Sequence, residues 1–271
     1  VGIGVMGRNI ALNFSDNDIN VVVFNKSKNK IDDLIHEGSK KNISGFTSFD
    51  EFVKNIESPR KILLMVPSGK ATKSVADELL EMLDNDDILI DGGNSFYKDS
   101  VELGNKCKKK KIRFVGMGVS GGETGARHGP ALMLGTDDTI PKNLLSMIKS
   151  ISAKSSYGDC VGVYKGYGTG HFIKMLHNGI EYAEMQILAE SYSILKSSTG
   201  IIVEDEPKNN LYPMPINAAN KDEVFVGRIR RDFSIKSGLN LWIVADNLRK
   251  GAATNTIQIA EKLIEMGIAK P

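Results

Sequence analysis

The chain has 271 residues, 41% hydrophobic and 25% charged, with a formal net charge of +2. Such a composition suits a folded, water-facing protein of one large domain or two ordinary ones, and so small a net charge argues against nucleic acid as a partner. No apolar run reaches the ~20 residues a membrane-crossing helix needs, and Cys107 and Cys160 have neither metal-ligand spacing nor the number a disulfide framework wants. The expectations are two domains in the cytoplasm, with no membrane, nucleic-acid or metal partner. Lys108 to Lys111 are expected to form a solvated face or loop.

Only Val1 stands ahead of a glycine motif that ordinarily follows a complete strand, so the start is expected to be clipped. Gly2-Ile3-Gly4-Val5-Met6-Gly7 reads GxGxxG, followed by a helical stretch from Arg8 to Phe14 and the apolar run Val21-Val22-Val23-Phe24. The first glycine permits a tight turn, the second lets backbone approach a pyrophosphate, and the third lets helix and strand pack closely. A helix N-terminus then offers free N–H groups to the anion. Such a motif alone also fits a plain glycine-rich turn. The runs Ile62 to Val66 and Ile88 to Ile90 favour the dinucleotide reading, because continuous apolar runs mark parallel strands buried on both faces. The expected class is α/β, with a Rossmann-like doubly wound sheet.

After the second strand an NAD enzyme usually places Asp or Glu to bind the ribose 2′-OH, whereas a 2′-phosphate wants cations and hydroxyls. Here the strand runs into Asn25-Lys26-Ser27-Lys28, which favours NADP against the alternative of a solvated lysine loop. Two polar glycine loops follow further strands: Asp91 to Ser95, and Ser120 to Ala126. Ligands of open α/β sheets gather beyond the carboxyl ends of the strands, so these loops are candidate substrate contacts.

After Gly168-Thr169-Gly170 comes the stretch from His171 to Tyr182, with Lys174, His177, Asn178 and Glu181 on one helical face and Phe172, Leu176 and Ile180 toward another. On pattern alone this is either a surface helix or a catalytic one. The segments Gly118 to Pro130 and Gly170 to Tyr182, with Asp91 to Ser95 and Cys160, resemble 6-phosphogluconate dehydrogenases over Val1 to Lys196.

The resemblance implies that Lys174 takes the C3 hydroxyl proton as hydride passes from C3 to NADP. The β-keto acid then loses CO₂, and Glu181 protonates the enediol at C1. A lysine acts as base only when its pKa falls from ~10.4 toward neutrality, which burial or a neighbouring cation brings about. The resemblance further implies substrate contacts from Asn94, Ser120, Gly121, Gly122, His177, Asn178 and Tyr182. It implies cofactor contacts from Gly2, Gly4, Val5, Met6, Gly7, Asn25, Lys26, Ser27, Val66 and Asn94, a sugar-phosphate substrate, no metal, and a homodimer. Gly4 stands where the family often has alanine, and Lys26 and Ser27 where it commonly has arginine and threonine. Lysine lacks arginine's planar bidentate contact, so phosphate recognition is expected to be weaker.

The family continues from this helix into a large all-helical domain. Here Gly200 to Val203, Val224 to Ile229 and Leu239 to Val244 read as strands, and a helix is expected from about Ala252 to Met266. With Tyr212 to Pro215, Asp222 to Arg230 and Ala245 to Asn255, this part resembles the C-terminal end of aspartate-semialdehyde dehydrogenases over 199–270. There the resemblance implies that Asn247 or its neighbours approach a cofactor. Neither cysteine has the surroundings of that family's nucleophile.

The chain thus reads as a composite joined near residues 196 to 200: an NADP-binding domain (1–165), a catalytic helix (166–198), and a short α/β segment (199–271) in place of the all-helical domain. A natural fusion, an artificial join and a sequence error would each give this pattern. Three functions follow: a decarboxylating sugar-acid dehydrogenase, a remnant of aspartate-semialdehyde dehydrogenase, or a cofactor-binding chimera without turnover.

Overall fold

The computed structural model describes residues 1–38, 42–197, 200–234 and 238–268. Part of the expected join, Ser198 and Thr199, lies outside the described residues. The chain divides into two units, Val1–Asn178 and Gly179–Pro271.

The first unit opens with α1 (Val5–Asp16), β1 (Val21–Phe24), α2 (Lys28–Glu37), β2 (Ile43–Phe46) and α3 (Phe49–Lys54). Then come β3 (Lys61–Leu64), α4 (Lys70–Leu80), β4 (Ile88–Asp91), α5 (Tyr97–Lys109), β5 (Arg113–Ser120) and α6 (Gly122–His128). It continues with β6 (Ala131–Thr136), α7 (Lys142–Ile151), the short pair β7 (Lys154–Ser155) and β8 (Gly158–Asp159), β9 (Val161–Lys165) and the start of α8 (Thr169–Ser197). The main sheet has the order β3-β4-β5-β6-β9, parallel except where β6 runs against β5. β1 and β2 form a separate parallel pair. Val1 and Gly2 bridge the two sheets: the Val1 carbonyl accepts from Met65 N–H at 2.8 Å, and Gly2 N–H donates to Phe24 O at 3.0 Å.

Strand alternation explains the layering. Ile62, Leu64, Leu89 and Phe114 face one core with Leu79, Leu80 and Leu103, while Ile88, Ile90, Val115 and Met117 face another with Ile10, Leu144 and Ile148. A third cluster joins Leu12, Ile31 and Leu34 to Val23 and Ile43. This is the doubly wound arrangement, in which burying such an aliphatic side chain contributes about 1.5–3 kcal/mol. One buried polar side chain locks the helical layer: Asn13 Nδ2 donates to the carbonyls of Ala126 at 3.1 Å and Ile151 at 3.0 Å, at the ends of α6 and α7.

The second unit holds the rest of α8, β10 (Ile201–Val203), a 3₁₀ turn (Pro207–Asn209), α9 (Pro215–Ala218), β11 (Val224–Arg231), β12 (Leu239–Val244), a wide turn (Arg249–Ala253) and α10 (Thr254–Glu265). β11 pairs parallel to β10 and antiparallel to β12. All three expected strands form, and the final helix starts two residues later than expected because Arg249–Ala253 takes the wider turn. Ala218, Phe225 and Val244 form one buried apolar cluster of its sheet layer, with Ile202 packed at their edge, and Val226 of β11 is buried as well. Among the described residues no helix is long and apolar enough to cross a membrane.

Candidate active site

The glycine motif divides its work as the spacing predicts. Gly2 sits at φ +86°, where a Cβ would lie 2.7 Å from Met65 O. A Cβ on Gly7 would fall 2.0 Å from Gly2 O, so only glycine lets α1 pack this close to the turn. Gly4, the N-cap of α1, has nothing within 4 Å of the Cβ position, and the first turn of the helix carries no acidic residue. Open space above unpaired helix N–H groups, with no opposing charge, is what a pyrophosphate requires. Val5 is exposed and Met6 half-buried beside it.

Lys26 and Ser27 are exposed at the end of β1, and Asn25 Nδ2 donates to Ser27 O at 3.3 Å. No carboxylate stands among them, so a phosphate monoester meets donors there. The residues present therefore fit a phosphorylated dinucleotide.

The loops after β3 and β4 converge. A Cβ on Gly93 would lie 3.0 Å from Val66 O, which puts the loop bearing exposed Asn94 against the segment after β3. Gly121 (φ +128°) and Gly122 (φ +59°) adopt left-handed backbone that lets Ser120 end β5 and α6 begin at once.

The start of α8 lies directly on the sheet. A Cβ on Gly170 would fall 2.2 Å from Met133 O and 2.3 Å from Gly116 O, and one on Gly118 would fall 2.7 Å from the Lys174 Cβ. This glycine contact delivers Lys174 to the end of β5. Lys174 Nζ donates to Ser120 Oγ at 2.9 Å. The same Oγ is 3.4 Å from His177 Nε2, and His177 Nδ1 is 3.3 Å from Asn178 Oδ1. Lys174, Ser120, His177 and Asn178 thus form one polar chain within the first unit. Glu181 and Tyr182 are exposed on α8 in the second unit.

Sequence reasoning passed over Gly116 and Gly135, and gave Gly118 no packing role. Glycines at alternate positions of one strand mark a close backbone approach, so Gly116 and Gly118 were the available signal. It also gave no role to His171 and passed over Ser100, whose mutual hydrogen bond is buried. Cys107 is fully buried, and burial pushes its thiol up to about 12, which makes it inert. Among the described residues no cluster of His, Cys, Asp or Glu could hold a metal.

The family model described as the NAD binding domain of 6-phosphogluconate dehydrogenase matches residues 1–164. A second model, the dimerisation domain of semialdehyde dehydrogenase, matches residues 142–250. The decarboxylating 6-phosphogluconate dehydrogenase of Staphylococcus aureus is 46% identical over 206 residues, covering 76% of this chain and 44% of that protein. That of Buchnera aphidicola is 45% identical over 196 residues, covering 72% and 42%. The chain therefore spans less than half the length of these relatives. Among solved structures, Plasmodium falciparum 6-phosphogluconate dehydrogenase superposes with a TM-score of 0.66 at 33% identity, covering 72% of this chain and 42% of that one. It was solved alone, with its cofactor NADP+, and with its substrate 6-phosphogluconate. Mycobacterium tuberculosis 3-hydroxyisobutyrate dehydrogenase, at 19% identity and a TM-score of 0.60, shares the fold. With the model match spanning residues 1–164 and carrying the phosphate-binding glycines, the chain belongs to the family of the 6-phosphogluconate dehydrogenase NAD-binding domain.

Proposed function

We propose that the chain is built as an NADP-dependent dehydrogenase that oxidises and decarboxylates 6-phosphogluconate to ribulose 5-phosphate, the cytoplasmic chemistry of the pentose phosphate pathway. The observation that carries this is the 2.9 Å bond from Lys174 Nζ to Ser120 Oγ, which joins the helix bearing the base to the loop expected to meet the sugar. Gly2, Gly4, Val5, Met6 and Gly7 would hold the pyrophosphate, Asn25, Lys26 and Ser27 the 2′-phosphate, and Val66 and Asn94 the nicotinamide side. Bound there, NADP supplies a hydride acceptor.

The remaining chemistry belongs to side chains. Ser120, Gly121, Gly122, Asn94, His177, Asn178 and Tyr182 orient the sugar acid, and Lys174 removes the C3 hydroxyl proton as the C3–H electron pair leaves. The C3 carbonyl then accepts the electrons of the C1–C2 bond as CO₂ departs, and Glu181 delivers a proton to the resulting enediol. The domain reading goes with this: a cofactor domain at 1–165, the catalytic helix at 166–198 and a separate segment at 199–271, with a homodimer as the working assembly.

The match to a semialdehyde dehydrogenase domain favours a second reading, in which the chain is a remnant of that enzyme. Adding 6-phosphogluconate and NADP should raise NADPH absorbance, and Lys174→Ala should abolish the rise, since a positioned base contributes about 10²–10⁴-fold. Phosphate-dependent turnover of aspartate semialdehyde instead would sink the proposal, and silence with both substrates would leave a cofactor-binding chimera. Titration should also find NADP bound at least tenfold tighter than NAD, the size of one charge-assisted contact of about 1.5–3 kcal/mol.

A further inference from the structure

His171 plays no part in the reaction just described, yet α8 places it one turn before Lys174. It is 4% exposed and sits among three elements. Its Nδ1 is 2.7 Å from Ser100 Oγ on α5, and its Nε2 is 3.1 Å from the carbonyl oxygen of Gly93 in the loop after β4. From β5, a Cβ on Gly116 would come within 3.2 Å of Nδ1, so the ring has no room to turn.

A carbonyl oxygen only accepts, so Nε2 carries the proton and donates it to Gly93. Nδ1 is then the acceptor, and Ser100 donates its hydroxyl hydrogen to it. One tautomer satisfies both ring nitrogens.

A buried histidine with two partners is ordinarily a packed core residue. What sets this one apart is the carbonyl it holds. The Gly93 C=O belongs to the peptide plane that carries the Asn94 N–H, so holding that oxygen orients the residue proposed to stand between cofactor and substrate. Gly93 is held on its other side as well, because its own N–H donates to Asp91 Oδ1 at 3.0 Å. The pair of anchors leaves the Asn94 peptide little freedom.

We propose that His171 is a positioning residue, which pins the Gly93–Asn94 peptide and so keeps the cofactor side of the site in register with the helix that carries Lys174. It rests on the reading of Asn94 and Lys174 as site residues. Burial holds the ring below its usual pKa; the charged group acting on it is Asp91, which pulls the other way, while Ser100, Gly93 and Gly116 are uncharged. The ring therefore stays neutral at pH 7 and keeps the tautomer that the Gly93 bond requires.

Two amide substitutions separate positioning from packing. The amide of His171→Gln reaches the place of Nε2 and keeps a donor for Gly93, whereas that of His171→Asn reaches only the place of Nδ1 and Ser100. In the full chain, the Asn variant should bind NADP at least tenfold more weakly and exchange its Asn94 amide faster, while the Gln variant stays within threefold of the parent. Equal NADP affinity and equal Asn94 exchange in the two variants would overturn the proposal. If either variant fails to fold, imidazole nitrogen shifts of the parent at pH 8 decide: a ring protonated on Nε2 supports it, and one protonated on Nδ1 overturns it. Should the parent bind no NADP, the function proposed above falls, and the Asn94 exchange of the two variants decides the role of His171 by the same two outcomes.

Discussion

The two units secure their backbones by different means. The first buries three apolar clusters on both faces of its sheets and brings backbones together wherever glycine allows. The second gathers Ala218, Phe225 and Val244 under a three-stranded sheet, and α10 buries none of its residues. Carboxylates take up the work there. Asp205 accepts the N–H groups of Arg228 and Ile229, each at 3.0 Å, Asp246 accepts those of Asn220 at 2.8 Å and Leu248 at 2.9 Å, and Asp222 holds Arg249 through two bonds of 2.8 and 2.9 Å. A large core makes a site rigid through packing, whereas a small one leans on charge-assisted contacts that solvent and pH can reach.

The largest expected consequence is functional. If the proposed function holds, a helical domain implied by the resemblance would complete the sugar-phosphate site, whereas residues 142–250 match the dimerisation domain of semialdehyde dehydrogenase. Arg228, Arg230 and Arg231 are the second unit's candidate cations for a substrate phosphate, but Arg231 is already paired with Glu184, and Arg228 lies over the Tyr212 ring, 5.6 Å from its centroid. Each lost charge-assisted contact costs about 1.5–3 kcal/mol, and remote binding energy is what holds C3 against the nicotinamide. Steady-state kinetics should therefore give kcat/KM several powers of ten below the ordinary range of ~10⁴–10⁸ M⁻¹s⁻¹. A value inside that range would erase the functional difference between the units.

Next in size are the packing effects. Gly170→Ala puts a methyl 2.2 Å from Met133 O and 2.3 Å from Gly116 O, neither of which can yield without moving a strand. A cost of about 3 kcal/mol is expected in denaturant unfolding, with loss of NADP affinity because Lys174 and His171 shift with the helix. Phe225→Ala removes the one large side chain in the small core, 1% exposed, and should cost a similar ~3 kcal/mol. Hydrogen exchange would register it as general exposure of β10, β11 and β12. If exchange there is unchanged, the second unit does not rest on that core.

Near neutral pH the smallest effects are those of titration, and they have opposite signs. The Cys107 thiol is raised to about 12 by burial. Between its ordinary value of ~8.5 and 12 the unfolded chain is ionised there and the folded one is not, so stability should fall by up to ~1.4 kcal/mol per pH unit above ~9, and Cys107→Ala should remove that slope. The exposed carboxyls behave in reverse. Hydrogen bonding to Arg249 lowers Asp222, and the Asn220 N–H lowers Asp246. Their contribution is present above the unfolded value of ~3.9 and lost as pH falls through the folded ones. Exchange at β11 and β12 should therefore rise at acid pH, and Asp222→Asn should reproduce part of that rise at neutral pH. Insensitivity of these amides to acid would show that apolar packing alone holds the sheet.

Much of this molecule was legible in the chain itself, because the relevant physics is local. Continuous apolar runs became parallel strands buried on both faces, the GxGxxG spacing became a turn with an open helix N-terminus, and the missing carboxylate after β1 was visible at Asn25 to Ser27. The change of character past Lys196 was equally plain, as strand-like runs replaced the expected helices.

What the chain could not reveal depends on partners distant in sequence. That β6 runs against β5, that β1 and β2 stand apart with Val1 and Gly2 bridging to the main sheet, and that Leu176 and Ile180 of α8 are 50% and 64% exposed all follow from how elements meet. The bond between Lys174 and Ser120 spans 54 residues, and that between His171 and Gly93 spans 78. Hydrophobic periodicity reports which way a side chain points from its own backbone, but a hydrogen bond needs two groups within about 3 Å, and only the packing of α8 onto the glycines of β5 and β6 sets that distance.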